Sequence, residues 1–270
     1  MPDASVTGAF PDAGAAPVAT EAPVAPVAGG ATWTWTVPDV DPERLPLVFH
    51  RAQRPLEVGT TVDLRVRFAE PLDRLVALIR GAGFTVVPEP VVEDDGTVRV
   101  RLVRERTLAD TVGPGMRLLI CGVNPSVYSA DAGVGYARPG NRFWPAVLAA
   151  GLAQVDRDPV AALAGGMGMT DFAKRATRTA AEVTRGEYAS GFARVTALVE
   201  WLRPGTVCFV GLSGWRTVVD RHAVAGPQPT PIGGRPAYVM PSTSGLNART
   251  PLSELVAHLT AARELPEANG

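Results

Sequence analysis

The chain has 270 residues, 46% of them hydrophobic, and a formal net charge of -1 from 26 basic and 27 acidic side chains. That length and apolar content can bury a full core, with room for one ordinary domain and a smaller one, which excludes a wholly disordered protein. The near-zero charge excludes a global basic field, so any contact with nucleic acid must come from a local patch.

From Met1 to about Thr32 the sequence is Ala, Pro, Val and Gly, with runs such as Ala22-Pro23-Val24-Ala25-Pro26-Val27. Too few large side chains are present to offset the entropy of ordering. Residues 1–35 are therefore expected to be a disordered tail, in which Trp33 and Trp35 alternate with threonine as either a strand start or a linker. The start lacks the basic and long apolar blocks of a signal peptide, and no apolar run is long enough to span a bilayer. A cytoplasmic protein without membrane contact is expected.

Residues 36–106 read as a small α+β module. Thr61 to Arg67 alternates like a half-buried strand, and Leu72, Leu75, Val76, Leu78 and Ile79 fall at helical spacing before Gly83. Phe84 to Val92 and Val98 to Val103 read as strands joined by the turn Asp94-Asp95-Gly96-Thr97. No Gly-rich cofactor loop precedes the module, and no role for it is legible.

Residues 107–265 alternate strand and helix: strand 117–121, helix 142–151, helix 188–202, strand 206–210, helix 213–222, strand 237–240 and helix 251–262. Such alternation predicts an α/β fold, a three-layer α/β/α sandwich with a mostly parallel central sheet. Cys121 and Cys208 sit in apolar strands and read as buried thiols. His50, His222 and His258 are isolated, so neither a metal nor a cofactor is expected.

Two strands of this region end abruptly in small polar loops, Gly122-Val123-Asn124-Pro125-Ser126 and Pro241-Ser242-Thr243-Ser244-Gly245-Leu246-Asn247. Parallel strands ending at one sheet edge would bring both loops to one cleft, where ligands of such sheets bind. In the first loop, glycine permits close backbone approach and asparagine supplies both a donor and an acceptor, although Asn124 could equally cap the loop. The segment continues through Gly135-Tyr136-Ala137-Arg138-Pro139-Gly140-Asn141-Arg142-Phe143-Trp144 into a helix.

At these residues the sequence resembles the mismatch-specific uracil/thymine DNA glycosylases of the uracil-DNA glycosylase superfamily. The matches are Gly122, Asn124 and Pro125, then Pro139 to Trp144 at the same spacing, then Gly168-Met169-Thr170-Asp171-Phe172 with Arg175-Ala176-Thr177, and finally Met240 to Leu246. The resemblance covers about Thr107 to Ala262, and Ser126 departs from it by replacing the usual glycine.

The resemblance implies a monofunctional enzyme that flips uracil out of mismatched double-stranded DNA and hydrolyses its N-glycosidic bond in base-excision repair, with thymine and damaged pyrimidines left open. Asn124 would hold the catalytic water. Tyr136 would stack on the base, backbone groups at Val123 and Tyr136 would bind its edge, and Ser129 would border its 5 position. Asn141 and Asp171 are further substrate-binding candidates, although Asp171 could simply cap a helix. Leu246 would wedge into the duplex. Ser126, Arg142, Ser242, Thr243, Ser244, Gly245 and Arg249 complete the expected DNA-binding set. No lysine occupies a motif position, so no Schiff-base step is expected. The protein is expected to act as a monomer at the nucleoid. The alternatives are a non-catalytic DNA-binding scaffold that keeps the fold, and a hydrolase of free nucleosides.

Overall fold

A computed structural model describes residues 27–29, 32–247 and 249–265. Most of the expected tail, residues 1–26, 30 and 31, lies outside the described residues. Its end does not fit the expectation of disorder up to residue 35: β1 (Val27–Gly29) pairs with β2 (Thr32–Thr36), and β2 lies parallel to the next strand. The reason is Trp35, which is 1% exposed and meets the ring of Phe49 edge-on at 5.3 Å. One buried indole supplies the apolar area that the preceding Ala/Pro/Val run lacks.

The first sheet continues with β3 (Thr61–Arg67), β4 (Phe84–Val86), β5 (Val91–Val92) and β6 (Thr97–Arg104), in the order β1-β2-β3-β6-β4 with β5 also on β6. Alternation fixes its register. Val62, Leu64 and Val66 face Leu102, Val100 and Val98 across the β3–β6 pair, and all six are buried. The helices α1 (Leu45–Gln53) and α2 (Leu72–Gly81) contribute Phe49, Leu75 and Ile79 to the same core. The expected single strand from Phe84 to Val92 is instead two short ones, because Pro88 and Pro90 between them have no N–H to give to a ladder.

The second sheet comprises β7 (Leu118–Gly122), β8 (Met167–Asp171), β9 (Thr206–Val210), β10 (Gly226–Ile232) and β11 (Arg235–Met240), ordered β10-β11-β9-β7-β8. All neighbours are parallel except the edge pair β10–β11. Every residue of β7 and β9 is buried, as a strand covered on both faces requires. The two faces separate cleanly along β7. Leu119 and Cys121 join a core with Val195, Val199 and Trp215 from α6 (Arg185–Leu202) and α7 (Leu212–Val218). Leu118 and Ile120 join another with Phe143, Val147, Leu255 and Leu259 from α4 (Phe143–Ala149) and α8 (Leu252–Arg263). This is the α/β/α sandwich predicted. Cys121 and Cys208 are free and buried. Among the described residues, no helix is long and apolar enough to cross a membrane.

The two sheets share one side of the core, because the Leu119/Cys121 cluster runs on into the buried residues of β3 and β6. A polar seam sits beside it. Asp110, 4% exposed, accepts from Thr170 Oγ1 at 2.8 Å, Lys174 Nζ at 2.8 Å and Arg194 Nη1 at 2.6 Å, and its backbone N–H donates to Gly81 O at the end of α2. Gly81 is required there, since a Cβ would lie 2.5 Å from Asp110 Oδ2.

Candidate active site

The carboxyl ends of β7, β8 and β11 release their loops over one edge of the sheet, and these loops enclose a cavity of about 530 Å³. Every site residue expected from sequence lines it except Arg142, Gly245 and Arg249. Asn124 and Leu246, more than a hundred residues apart, therefore face one space.

Asn124 is held by its amide nitrogen. Nδ2 donates to Thr177 Oγ1 at 2.7 Å, Arg175 O at 3.0 Å and Pro125 O at 3.1 Å. The Thr177 and Arg175 acceptors come from the segment after β8, which is laced to the first loop by Val127 N donating to Thr177 O and Thr177 N donating to Pro125 O. Arg175 is itself fixed by Glu187 Oε1 at 2.7 Å and Oε2 at 3.0 Å, and this pairing holds the Glu187 carboxyl down at about 2. With Nδ2 satisfied, Oδ1 has no hydrogen-bond partner among the described residues and is left to accept from water.

Ser126 sits at φ -71°, an ordinary extended conformation, so the glycine it replaces is not needed for backbone freedom. It caps α3 (Val127–Ala132), accepting from Ser129 N at 3.1 Å, and its hydroxyl pairs with that of buried Ser129 at 3.1 Å. Ser129 Oγ in turn accepts from Ala137 N at 3.2 Å. The two hydroxyls thus tie the first motif to the aromatic loop.

Tyr136 adopts φ +59°, a conformation that side chains other than glycine rarely take and that here aims the ring. Phe143 stacks on one face at 3.9 Å and 17°, and the ring lines the cavity. The hydroxyl is buried without a partner, and burial together with nearby Asp171 pushes its titration well above the ordinary phenol range. Among the described residues the Val123 and Tyr136 backbone amides donate to nothing, whereas the Val123 carbonyl accepts from Ala173 N.

The last loop docks on the first. A Cβ at Gly245 would lie 2.8 Å from Gly140 O, and Arg142 N donates to Thr243 O at 2.9 Å. Leu246 crowns the turn and is 86% exposed, the largest exposure of any large apolar side chain described. Below it, Leu246 N donates to Ser244 Oγ and Ser244 N to Ser242 Oγ, both at 3.3 Å.

Three expected roles change. Arg142, expected to touch DNA, directs its guanidinium inward to the carbonyls of Thr250 and Asn247, because that loop has no regular structure to satisfy them. Thr243 is 1% exposed, so its hydroxyl is not available to a phosphate. Asp171 is no helix cap: it ends β8 opposite Gly122. Asn141 lines the cavity but also accepts from Phe143 N at 3.0 Å, capping α4. Arg249 is exposed outside the cavity lining.

Three residues were missed. Arg138 and Arg178 are exposed at the cavity rim, with no acidic partner among the described residues. Their signal was their place beside matched segments, Arg138 just before Pro139 and Arg178 just after Thr177. Thr177 belonged to one, but nothing in sequence says that it holds Asn124.

Asp171 differs from the rest. Its carboxyl group has no hydrogen bond or ion pair among the described residues, and burial raises it from 3.8 to about 6, with Lys174 and Arg194 pulling it down and Asp110 pushing it up. Gly122 leaves room for it, since a Cβ there would lie 2.4 Å from Asp171 Oδ1 and 2.9 Å from the Tyr136 hydroxyl.

A mostly parallel sheet thus carries, around one cavity, an amide oxygen without a protein partner, an aromatic ring backed by Phe143 and an exposed apolar tip. The family model for the uracil DNA glycosylase superfamily matches residues 109–263, from Ala109 beside the seam aspartate to the end of α8. The chain belongs to this superfamily, whose members are DNA glycosylases, hydrolases of DNA repair.

Proposed function

We propose that the protein is a monofunctional, mismatch-specific glycosylase that extrudes uracil from double-stranded DNA and hydrolyses its N-glycosidic bond. The observation that carries this reading is the single cavity lined by both Asn124 and Leu246. Leu246 enters the stack and fills the gap, a task for an apolar wedge already exposed. The freed base lies against the Tyr136 ring, a contact of about 1–3 kcal/mol, and the Val123 and Tyr136 amides meet its carbonyl edge. Ser129 borders the 5 position, and Asn141 lines the same pocket.

Asn124 Oδ1 accepts from a water and orients its oxygen toward the anomeric carbon. An amide positions water without deprotonating it, so bond cleavage runs ahead of water attack, through a sugar with oxocarbenium character. Ser126, Ser242, Ser244 and Arg249, with Arg138 and Arg178, supply phosphate contacts at the rim. The protein acts as a monomer on cytoplasmic, nucleoid DNA.

The test is a labelled G·U duplex assayed for alkali-labile sites, extended to G·T, A·U and single-stranded uracil. Cleavage at G·U that exceeds A·U and vanishes in Asn124→Ala supports the proposal. Tight binding without any product favours a scaffold, and activity on free nucleosides that ignores Leu246→Ala favours a nucleoside hydrolase.

A further inference from the structure

Among the described residues, Asp171 is the acidic side chain that lines the cavity, and its carboxyl group has no protein partner. The groups facing it come from every neighbouring element: the Cys121 thiol from β7, Arg194 from α6, Lys174 from the turn after β8, Asp110 from the seam, and the Tyr136 hydroxyl from the aromatic loop. Lys174 and Arg194 both make ion pairs with Asp110, at 2.8 and 2.6 Å, which leaves Asp171 without a counter-ion of its own.

Bond cleavage makes this arrangement consequential. When the C1′–N1 bond breaks, its electron pair stays on the base and spreads over the ring nitrogen and carbonyl oxygens. An ionised carboxylate beside that charge repels it, whereas a carboxylic acid donates to it. We propose, building on the glycosylase reading above, that Asp171 works as the protonated acid, donating a hydrogen bond to a carbonyl oxygen of the extruded base and so stabilising the leaving group.

Burial already places the group near 6 before any ligand arrives. A base that displaces the remaining water and then gains negative charge pushes it higher, as in other sites that keep a carboxylic acid neutral to donate. The step balances. The water oxygen bonds to C1′, one water proton leaves to solvent, and the departing base takes a proton from solvent while Asp171 keeps its own. Cytosine keeps O2 but carries an amino group in place of O4, so an acid that reads O4 also favours uracil and thymine over cytosine.

Single-turnover excision from a G·U duplex between pH 5 and 8.5 tests this, with folding checked by thermal melts. For the unmodified protein the rate falls about tenfold per pH unit above a midpoint at or above 6. Asp171→Asn, a donor that cannot ionise, removes that fall. Asp171→Ala is slower by about 100-fold at pH 6, the loss typical of one such donor. A rate that rises with pH through 6, an Asp171→Asn profile that still falls, or an unimpaired Asp171→Ala overturns the proposal. No excision by the unmodified protein at any pH sinks the glycosylase reading itself, whereas excision that depends on Asn124 but on no Asp171 variant overturns only this step.

Discussion

The seam between the two sheets and the cavity above β8 hold two aspartates, Asp110 buried and Asp171 half-buried, in opposite condition. At the seam, Asp110 meets three side-chain donors, and although burial opposes ionisation, Arg194 and Lys174 hold its carboxyl below the usual range. In the cavity, Asp171 meets none and sits near 6. The residue type is the same and both depend on Lys174 and Arg194. What differs is who owns the counter-ions, and the difference separates a group that holds the fold from one left available for chemistry.

The seam breaks first. Asp110→Ala leaves two largely shielded cations, Lys174 and Arg194, without their carboxylate, a loss of about 3 kcal/mol, and a melting temperature lowered by roughly 10 °C checks it. An unchanged melt would mean that the seam is not structural.

The cavity responds in the opposite direction. A carboxyl group raised in the folded state stabilises nothing as an ion: relative to the unfolded chain, stability is highest below about 3.8 and declines as pH rises to about 6. Asp171→Asn therefore raises stability at pH 8, by at most about 3 kcal/mol, and by little at pH 3.5. Denaturant melts at the two pH values read the difference.

Smaller effects sharpen the contrast. Leu246→Ala removes an exposed side chain, so the melt stays within about 0.5 kcal/mol, while single-turnover excision from duplex drops roughly tenfold through loss of the wedge. Arg138→Ala and Arg178→Ala each weaken duplex binding about equally for all sequences and reduce the salt slope by about 1.

Sequence reached β7, β9 and β11 of the second sheet through local patterns and the site residues through the resemblance, but it did not mark β8 or β10. Apolar runs such as Leu118 to Cys121 ending in Asn-Pro, and exposed-tip chemistry at Gly245-Leu246, carry their own signal. Elements whose stability comes from elsewhere stayed hidden. β10, Gly226-Pro227-Gln228-Pro229-Thr230-Pro231-Ile232, has no counterpart among the predicted elements, and its three prolines are tolerated because it is an edge strand. The helix α6 starts at Arg185, three residues before the expected Tyr188, since Thr184 and Glu187 form a capping box. The short helices α3 and α5 (Pro159–Ala164) have too few turns to show periodicity. The inward turn of Arg142 and the isolation of Asp171 depend on partners far along the chain, which no local pattern encodes.

Release of free uracil, measured by mass spectrometry after incubation with a G·U duplex, tests the central claim most directly. One uracil per abasic site is expected, with the sugar-phosphate strand intact until alkali is added, and loss of both products in Asn124→Ala. Duplex bound tightly with its uracil still attached would contradict it.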